Sequence, residues 1–333
     1  MEAAGFGLDP AGITKRNRIV LEPVLALHTP PCHDGGARIS QHGPGTPRGA
    51  SRLENKMSVH APSTPGTSIR RLTLRDLSEL SREGTHWSMI TAYDYITAGI
   101  FEQAGAHSLL VGDSAAMVVY GYDTTIPVTI EELVPLVRAV VRGSQRALVV
   151  GDLPFGSYHA SVAQAIETAS AFMKDGGAQA VKVEGGRSVL PQVEALASAG
   201  VPVIGHLGLT PQAVHALGGY RVQGRGESGD MLLQDAKALQ SAGAMALVLE
   251  AIPSDLAARV TDMLDIPTIG IGAGKSTNAQ VIVWQDLLGM TEHQPPKFVK
   301  QYAQLRLPIR DAVAAWITDV ASGDFPGPEH TYH

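Results

Sequence analysis

The chain has 333 residues, 44% of them hydrophobic, which is enough apolar material for one large core or two domains. Its formal net charge at pH 7 is -6 with both signs scattered, so no basic stripe indicates a nucleic-acid partner, and no apolar run reaches the roughly 18 residues of a membrane span. The single cysteine, Cys32, excludes an intrachain disulfide and a thiolate metal cluster, and the first twenty residues carry no secretory apolar segment, so we expect a cytoplasmic protein.

The composition of the chain changes near residue 68. Residues 1–67 are rich in glycine, proline, serine and threonine and show no sustained apolar period. Burial there would not offset the conformational entropy lost on ordering. We therefore predict a flexible, low-complexity tail over 1–67 and one folded domain over 68–333.

Beyond residue 68, predicted strands and helices alternate. Short apolar runs bounded by turn residues predict strands that are buried on both faces. These strands cover 87–92, 108–113, 147–152, 180–184, 201–206, 246–250, 267–272 and 281–284. Apolar periodicity and N-cap residues, among them Thr129 and Ser254, predict the helices. These helices cover 74–83, 97–104, 130–142, 161–174, 188–198, 213–217, 230–241, 255–264, 298–305 and 310–321.

Eight strands alternating with helices over roughly 250 residues are typical of a (β/α)8 TIM barrel. The alternative is a doubly wound open sheet, which usually has a glycine-rich turn after its first strand. Here the first strand is followed by Tyr93, Asp94 and Tyr95, without a glycine. The α/β barrel is therefore the predicted fold.

Charged side chains end several of these strands. Asp113, Asp152 and Glu184 end the second, third and fourth strands. Neighbouring strands lie about 4.8 Å apart, so the three carboxylates can reach a common point at the carboxyl end of the barrel, where such barrels have their active sites. Hard oxygen ligands suit Mg²⁺ with open positions for substrate oxygens. Each acid by itself is equally consistent with a solvated turn residue or a helix cap.

Two further residues extend this predicted site. Lys182 lies two residues before Glu184, on the same side of its strand, and can neutralise a substrate carboxylate. His206 ends the fifth strand, where it either hydrogen-bonds a developing oxyanion or orders the metal site, or is a buried structural histidine. The residues leave both interpretations of His206 open.

Nine motifs, in this order along the chain, resemble the ketopantoate hydroxymethyltransferase family, also called 3-methyl-2-oxobutanoate hydroxymethyltransferase. The resemblance covers about residues 69–328. The motifs are Thr91-Ala-Tyr-Asp-Tyr95, Val111-Gly-Asp-Ser114, Gly121-Tyr-Asp-Thr-Thr-Ile-Pro-Val-Thr129, Asp152-Leu-Pro-Phe155, Val181-Lys-Val-Glu-Gly-Gly186, His206-Leu-Gly-Leu-Thr-Pro-Gln212, Gly218-Gly-Tyr-Arg-Val-Gln-Gly-Arg225, Gly270-Ile-Gly-Ala-Gly274 and Val283-Trp-Gln-Asp286.

The resemblance implies a (β/α)8 barrel of the phosphoenolpyruvate/pyruvate superfamily type, assembled as a decamer built from a pentamer of dimers. It implies the first committed step of pantothenate and coenzyme A biosynthesis. In that reaction 5,10-methylenetetrahydrofolate donates a hydroxymethyl group to 3-methyl-2-oxobutanoate (2-oxoisovalerate), through an enolate stabilised by Mg²⁺. The products are 2-dehydropantoate and tetrahydrofolate.

The resemblance also implies roles for single residues. Asp113 and Asp152 match the direct Mg²⁺ ligands, and Glu184 matches the third ligand, bound directly or through water. Asp113, Ser114, Asp152 and Lys182 match the substrate contacts. Glu250, which ends the sixth strand, matches the general base.

Two positions depart from the family pattern. Ala116 stands where glycine is usual, which is expected to alter the loop after the second strand. Asn278-Ala279 replaces Asp-Gly before the last strand, which we expect to lie near the substrate mouth and to affect folate affinity.

Two alternative functions are weighed against this one. A superfamily lyase acting on oxo acids generally carries a reactive cysteine in a mobile loop, and the predicted barrel contains no cysteine. A catalytically inactive barrel that serves assembly would have lost Glu250 or one of the three metal-site acids, yet all four residues are present. The sequence therefore favours the enzyme.

Overall fold

The computed structural model describes residues 70–292 and 294–332. The predicted tail over 1–67 and its boundary at residue 68 lie outside these residues. Within them, eight parallel strands pair in chain order and β1 also pairs with β8, so the sheet closes into a barrel. The predicted barrel is confirmed and the open sheet is wrong. The strands are β1 Trp87–Thr91, β2 Ser108–Val111, β3 Leu148–Asp152, β4 Ala180–Glu184, β5 Val203–Gly208, β6 Ala246–Glu250, β7 Thr268–Ile271 and β8 Ala279–Ile282.

Helices connect most of the strands on the outside of the barrel. The helix α5 continues directly into a π-helical turn, Ala171–Gly176. The helices are α1 Leu74–Arg82, α2 Tyr95–Gln103, α3 Ala115–Val118, α4 Ile130–Gly143, α5 Val162–Ser170, α6 Leu190–Ser198, α7 Glu227–Ser241, α8 Ser254–Met263, α9 Trp284–Leu287 and α10 Arg306–Ser322.

The two predicted N-caps differ in outcome. Thr129 caps α4 as predicted, since its hydroxyl accepts from Glu132 N at 3.2 Å and the Glu132 carboxylate accepts from Thr129 N at 2.8 Å. Ser254 is not a cap, because Pro253 takes the N-cap position and Ser254 is the first residue of α8. The extended backbone of Pro253, with ψ of 138°, places the start of the helix one residue earlier than an N-cap at Ser254 would.

Two predicted helices are wrong. The segment 213–217 contributes only to a short 3-10 turn, Pro211–Ala213. The segment 298–305 forms no helix, because two of its backbone donors bond to α9 and to the residue that follows α9. Tyr302 N donates to Leu287 O at 2.8 Å, and Leu305 N donates to Leu288 O at 2.9 Å.

The two departures from the family pattern have separate outcomes. Ala116 is buried inside α3, where alanine is the most favourable helical residue. The expectation that Asn278 lies near the substrate mouth is wrong. Because β8 begins at Ala279 rather than at residue 281, Asn278 lies at the amino end of the strands, where its side chain accepts from Thr268 N at 2.9 Å.

The core has two layers. Side chains that point into the barrel form one cluster, which includes Met89, Leu148 and Ile204, and Leu74 and Leu77 of α1 pack against it. The helix α1 therefore closes the amino end of the barrel. A second cluster lies between the strands and the outer helices. The strands β2, β3 and β4 are buried along their whole length, as the apolar runs of β2 and β3 predict, and in β4 the burial includes Lys182.

The outer layer is incomplete at one place. The described residues 272–278, which connect β7 to β8, form no helix, and the outward-facing Gln280 of β8 is exposed. In the part of the chain that the structure describes, α10 has no buried residue. Its exposed apolar side chains are Leu307, Ile309, Val313, Trp316, Ile317 and Val320. None of the helices in the described ranges is long and apolar enough to cross a membrane.

Candidate active site

A cavity of about 450 Å³ opens at the carboxyl ends of the strands. It contains all the charged residues that the sequence predicts for the site, together with Ser114 and His206. The closed barrel brings them together because each lies at, or close to, the carboxyl end of a strand. The predicted residues in its lining are Asp113, Ser114, Asp152, Lys182, Glu184, His206 and Glu250.

The parallel register explains how these side chains meet. Asp152 of β3 pairs with Lys182 of β4, and Glu184 of β4 pairs with His206 of β5. Paired residues of neighbouring strands point to the same face of a sheet, which here is the inside of the barrel. The adjacent strand ends therefore present carboxylate, ammonium and imidazole groups to one space.

Asp113 and Asp152 form the first part of the site. Both are buried, with exposures of 4% and 1%. Asp113 N donates to Asp152 Oδ2 at 3.1 Å, and Asp113 Oδ2 accepts from Gln212 Nε2 at 3.1 Å. The two carboxylates are thus held side by side by one backbone donor and one amide.

Lys182 lies between two of the acids. Its Nζ is 2.6 Å from Asp152 Oδ1 and 3.2 Å from Glu184 Oε1. Burial lowers the pKa of Lys182, but the charges of Asp152 and Glu184 outweigh burial and raise it well above its usual value. The Asp152 contact is an ion pair without a well-aligned hydrogen bond, so Asp152 Oδ1 has capacity for another partner.

The carboxylates carry more negative charge than this ammonium group balances. Burial, together with the charges of Asp152 and Glu184, raises the pKa of Asp113 well above its usual value. Burial and the charge of Glu184 also raise the pKa of Asp152, although Lys182 opposes the shift. Burial acts in the same direction on Glu184, but Lys182 and His206 outweigh it and hold its pKa at about 2. A divalent cation would relieve the repulsion that Asp113 and Asp152 experience.

The donor set fits a hard cation. All three acids offer carboxylate oxygens, and Asp152 Oδ1, which contacts Lys182 Nζ, has a further lone pair for a cation. In 70–292 and 294–332, no three acid, histidine or cysteine side chains are arranged to hold a metal ion by themselves. A cation here would therefore take further ligands from substrate or water. The metal set of Asp113, Asp152 and Glu184 stays a prediction.

His206 lies between Glu250 and the acidic centre, which is formed by Asp113, Asp152 and Glu184. Its Nδ1 is 3.0 Å from Glu184 Oε1, and its Nε2 is 3.3 Å from Glu250 Oε2 in a contact without hydrogen-bond alignment. Burial lowers the pKa of His206, but the charge of Glu184 outweighs it and raises the pKa to about 9. The Glu250 side chain is 16% exposed, against 3% for Glu184, and it faces the cavity. His206 is therefore a buried imidazole placed between two carboxylates.

The sequence analysis missed Gln212 and Tyr158, both fully or nearly fully buried. Gln212 N donates to Glu184 Oε2 at 3.0 Å, in addition to its amide bond to Asp113. Tyr158 OH accepts from Glu184 N at 3.0 Å and donates to Gln212 Oε1 at 2.9 Å. Gln212 ends one of the nine motifs, which was its only signal, and Tyr158 lies outside all of them.

Two other residues also belong to the site. Tyr93 OH lies 2.7 Å from Ser114 Oγ, so the predicted substrate contact Ser114 is oriented by a buried tyrosine whose pKa burial raises. The buried Thr125 Oγ1 lines the cavity and has no hydrogen-bond partner among the described residues. A serine and a threonine hydroxyl are thereby available to a ligand.

We expect Tyr158→Phe to lower the free energy of unfolding by about 1–3 kcal/mol, because the buried Glu184 N–H loses its acceptor and Gln212 loses a donor. Urea unfolding followed by circular dichroism measures this change. The matched control is Tyr120→Phe, which removes a hydroxyl that donates to Glu132 O at the surface. Equal losses in both variants would contradict the role given to Tyr158.

Comparisons with known proteins agree on one family. The family model described as "Ketopantoate hydroxymethyltransferase" matches residues 71–328. A relative from Frankia alni is 60% identical over 262 residues, which cover 79% of this chain and 86% of that protein. A relative from Thermobifida fusca is 55% identical over 280 residues, which cover 83% of this chain and all of that protein. Both relatives are named 3-methyl-2-oxobutanoate hydroxymethyltransferase.

Solved structures agree on the fold. Phosphonopyruvate hydrolase, in a complex with oxalate and Mg²⁺, matches with a TM-score of 0.50 and 13% identity, covering 78% of this chain and 93% of that one. Phosphoenolpyruvate phosphomutase from Streptomyces platensis matches with a TM-score of 0.52 and 16% identity, covering 77% and 92%. These likenesses confirm the fold, a closed α/β barrel of eight parallel strands.

Proposed function

Because the chain belongs to the ketopantoate hydroxymethyltransferase family, we propose that its barrel cavity is the place where a hydroxymethyl group is transferred to 3-methyl-2-oxobutanoate. The chain is an enzyme, a one-carbon transferase of the first step of pantothenate biosynthesis. The observation that carries the location is the meeting of Asp113, Asp152, Lys182 and Glu184 with Glu250 in one cavity.

The proposed co-substrate is 5,10-methylenetetrahydrofolate, and the proposed metal is Mg²⁺. Asp113 and Asp152 would hold the cation, with Glu184 acting directly or through water. When bound, Mg²⁺ would supply charge that makes the C3 hydrogen of the oxo acid more acidic and favours its enolate, an effect worth several kcal/mol. The excess of buried negative charge at Asp113 and Asp152 supports this assignment.

The remaining residues have roles in binding and proton transfer. Lys182 supplies a buried ammonium group, and Ser114 supplies a hydroxyl that Tyr93 orients, so both suit the anionic oxo acid. Glu250 is the proposed general base, because its carboxylate is less buried than the metal-site acids and faces the cavity. The nearby His206 restrains Glu250 and holds its own proton.

The test of this function is an assay with both proposed substrates. We expect 2-dehydropantoate to form only when 3-methyl-2-oxobutanoate and 5,10-methylenetetrahydrofolate are both supplied. EDTA should abolish product formation because it removes the cation that stabilises the enolate, and excess Mg²⁺ should restore it. Product is measured by NMR, and a sample treated with EDTA already saturated with Mg²⁺ is the control.

Two results would count against the proposal, and they are distinguishable. Full activity in EDTA would show that the metal assignment is wrong while the transfer reaction stands. Absence of product with both substrates and Mg²⁺ present would show that the proposed transfer itself is wrong.

We further propose that the enzyme is a cytoplasmic homo-oligomer, a decamer built as a pentamer of dimers, which acts on small molecules and binds neither nucleic acid nor membrane. The exposed apolar side chains of α10 support association, because a row of large apolar groups on one helix is typical of an interaction surface. The scattered surface charge supports the absence of a nucleic-acid partner. Light scattering on the full chain counts the subunits.

A further inference from the structure

The cavity extends beyond the acidic centre toward β8 and α9. Asp286, the third residue of α9, lines this part of the cavity. Among the described residues, no lysine, arginine or histidine side chain lies within ion-pair distance of its carboxylate. Its side chain takes part in one hydrogen bond there, a long one of 3.4 Å from Thr291 Oγ1. Burial raises the pKa of Asp286. A half-buried carboxyl group with such weak partners has unused acceptor capacity.

An aromatic wall lies in the same part of the cavity. Phe298 lines it and packs against the turn after β7, where a methyl group added at Gly272 would come within 2.8 Å of the ring. The ring is nevertheless 41% exposed. Gly272 has a φ of 64°, a conformation that favours glycine, so the turn both places the ring and leaves room for it. The exposed Lys297 lies beside Phe298 at the cavity edge.

The cavity is also larger than a small oxo acid requires. At about 450 Å³ it is within the size range of pockets for drug-sized ligands. The acidic centre around Lys182 occupies one side, and the side formed by Ile282, Val283 and Phe298 is apolar. A second, flat and largely apolar molecule with a few hydrogen-bond donors fits this remaining space.

A pterin ring has these properties. Its N3–H and 2-amino groups are adjacent donors in one plane, and a carboxylate can accept from both, as it does from a guanidinium fork. Its fused ring offers a flat face for an aromatic side chain. The glutamate portion of a folate is anionic and would lie toward solvent, where Lys297 is exposed.

We propose that Asp286 and Phe298 form the pterin subsite of this cavity, in which Asp286 accepts from the N3–H and 2-amino groups and Phe298 stacks on the ring. The inference rests on the proposed function, since it specifies where the folate co-substrate binds. Asp286 is a binding residue and takes no part in removing the C3 proton, which is assigned to Glu250 on the adjacent side of the cavity.

The test measures binding rather than turnover. Tetrahydrofolate is titrated by calorimetry into the full-length enzyme saturated with Mg²⁺ and 3-methyl-2-oxobutanoate. We expect Asp286→Asn to weaken tetrahydrofolate binding by about 10- to 100-fold, because the amide nitrogen that replaces one carboxylate oxygen is a donor and cannot accept the second of the two paired donors. Exchange of the C3 hydrogen for deuterium, measured without folate, should stay at the wild-type rate.

The control variant is Glu292→Gln. It removes a carboxylate six residues away that pairs with Arg306 outside the cavity. This variant should bind tetrahydrofolate with wild-type affinity. A loss of the same size in Glu292→Gln would show that the general charge of this segment matters, and it would overturn the subsite.

The outcomes separate the subsite from the proposed function. If the wild type binds tetrahydrofolate and Asp286→Asn binds it equally well, the subsite is wrong and the function stands. If the wild type exchanges the C3 hydrogen but binds no tetrahydrofolate, both the folate donor and its subsite are wrong. If Asp286→Asn also loses exchange of the C3 hydrogen, the Phe298→Leu variant tests the subsite instead. Phe298→Leu should weaken tetrahydrofolate binding while exchange is retained, and unchanged binding would overturn the proposal.

Discussion

Glu250→Gln is expected to lower exchange of the C3 hydrogen of 3-methyl-2-oxobutanoate by at least about 100-fold, the low end of general-base catalysis. Glutamine keeps the shape of the side chain, but its amide cannot take up a proton at neutral pH. The acidic centre does not depend on Glu250 for any of its hydrogen bonds, so binding of the oxo acid should be retained.

Deuterium exchange followed by NMR, with Mg²⁺ and without folate, measures this effect. Glu194→Gln is the matched control, since Glu194 is an exposed residue of α6 on the outer layer. Exchange at the wild-type rate in Glu250→Gln would show that Glu250 is not the base. His206, whose Nε2 lies 3.3 Å from Glu250 Oε2, would then be the next candidate.

The second large effect is expected from Asp152→Asn, which should weaken Mg²⁺-dependent binding of the oxo acid by roughly 100-fold or more, since affinity for a hard cation depends strongly on the number of charged ligands. The barrel should stay folded. Asparagine fills the same buried space, and Lys182 keeps Glu184 as its ionic partner.

Calorimetric titration of 3-methyl-2-oxobutanoate, with and without Mg²⁺, measures this change, and circular dichroism checks the fold. Asp230→Asn is the control, because Asp230 is an exposed residue of α7 whose side chain is 71% accessible. If Asp152→Asn keeps both its oxo-acid affinity and the metal dependence of that affinity, Asp152 is not a metal ligand.

The main features of the site could be predicted from the sequence because the polarity changes abruptly where the strands end. In β3 and β6 a continuous apolar run ends in a carboxylate, and in β4 only Lys182 interrupts such a run, so the strand and the direction of its last side chain are both readable. Closure of the barrel then brings Asp152, Glu184 and Glu250 to one cavity.

The hydrogen-bond partners of these acids could not be predicted. Tyr158 and Gln212 reach Glu184 from the segments that follow β3 and β5, and no periodic pattern specifies how such connecting segments fold back. The position of β8 was misjudged for a related reason. The run from Val281 to Trp284 is continuously apolar, yet Trp284 already belongs to α9, so apolarity alone did not show where the strand ends.

In the proposed oligomer, the exposed helix α10 would make the stability of the enzyme depend on protein concentration. It has 17 residues, none of them buried by the described chain, and isolated helices of about this length are marginal in water. In the proposed oligomer, contacts from other subunits would supply the burial that α10 lacks. Unfolding is then linked to dissociation by mass action, and the melting temperature of the enzyme falls on dilution.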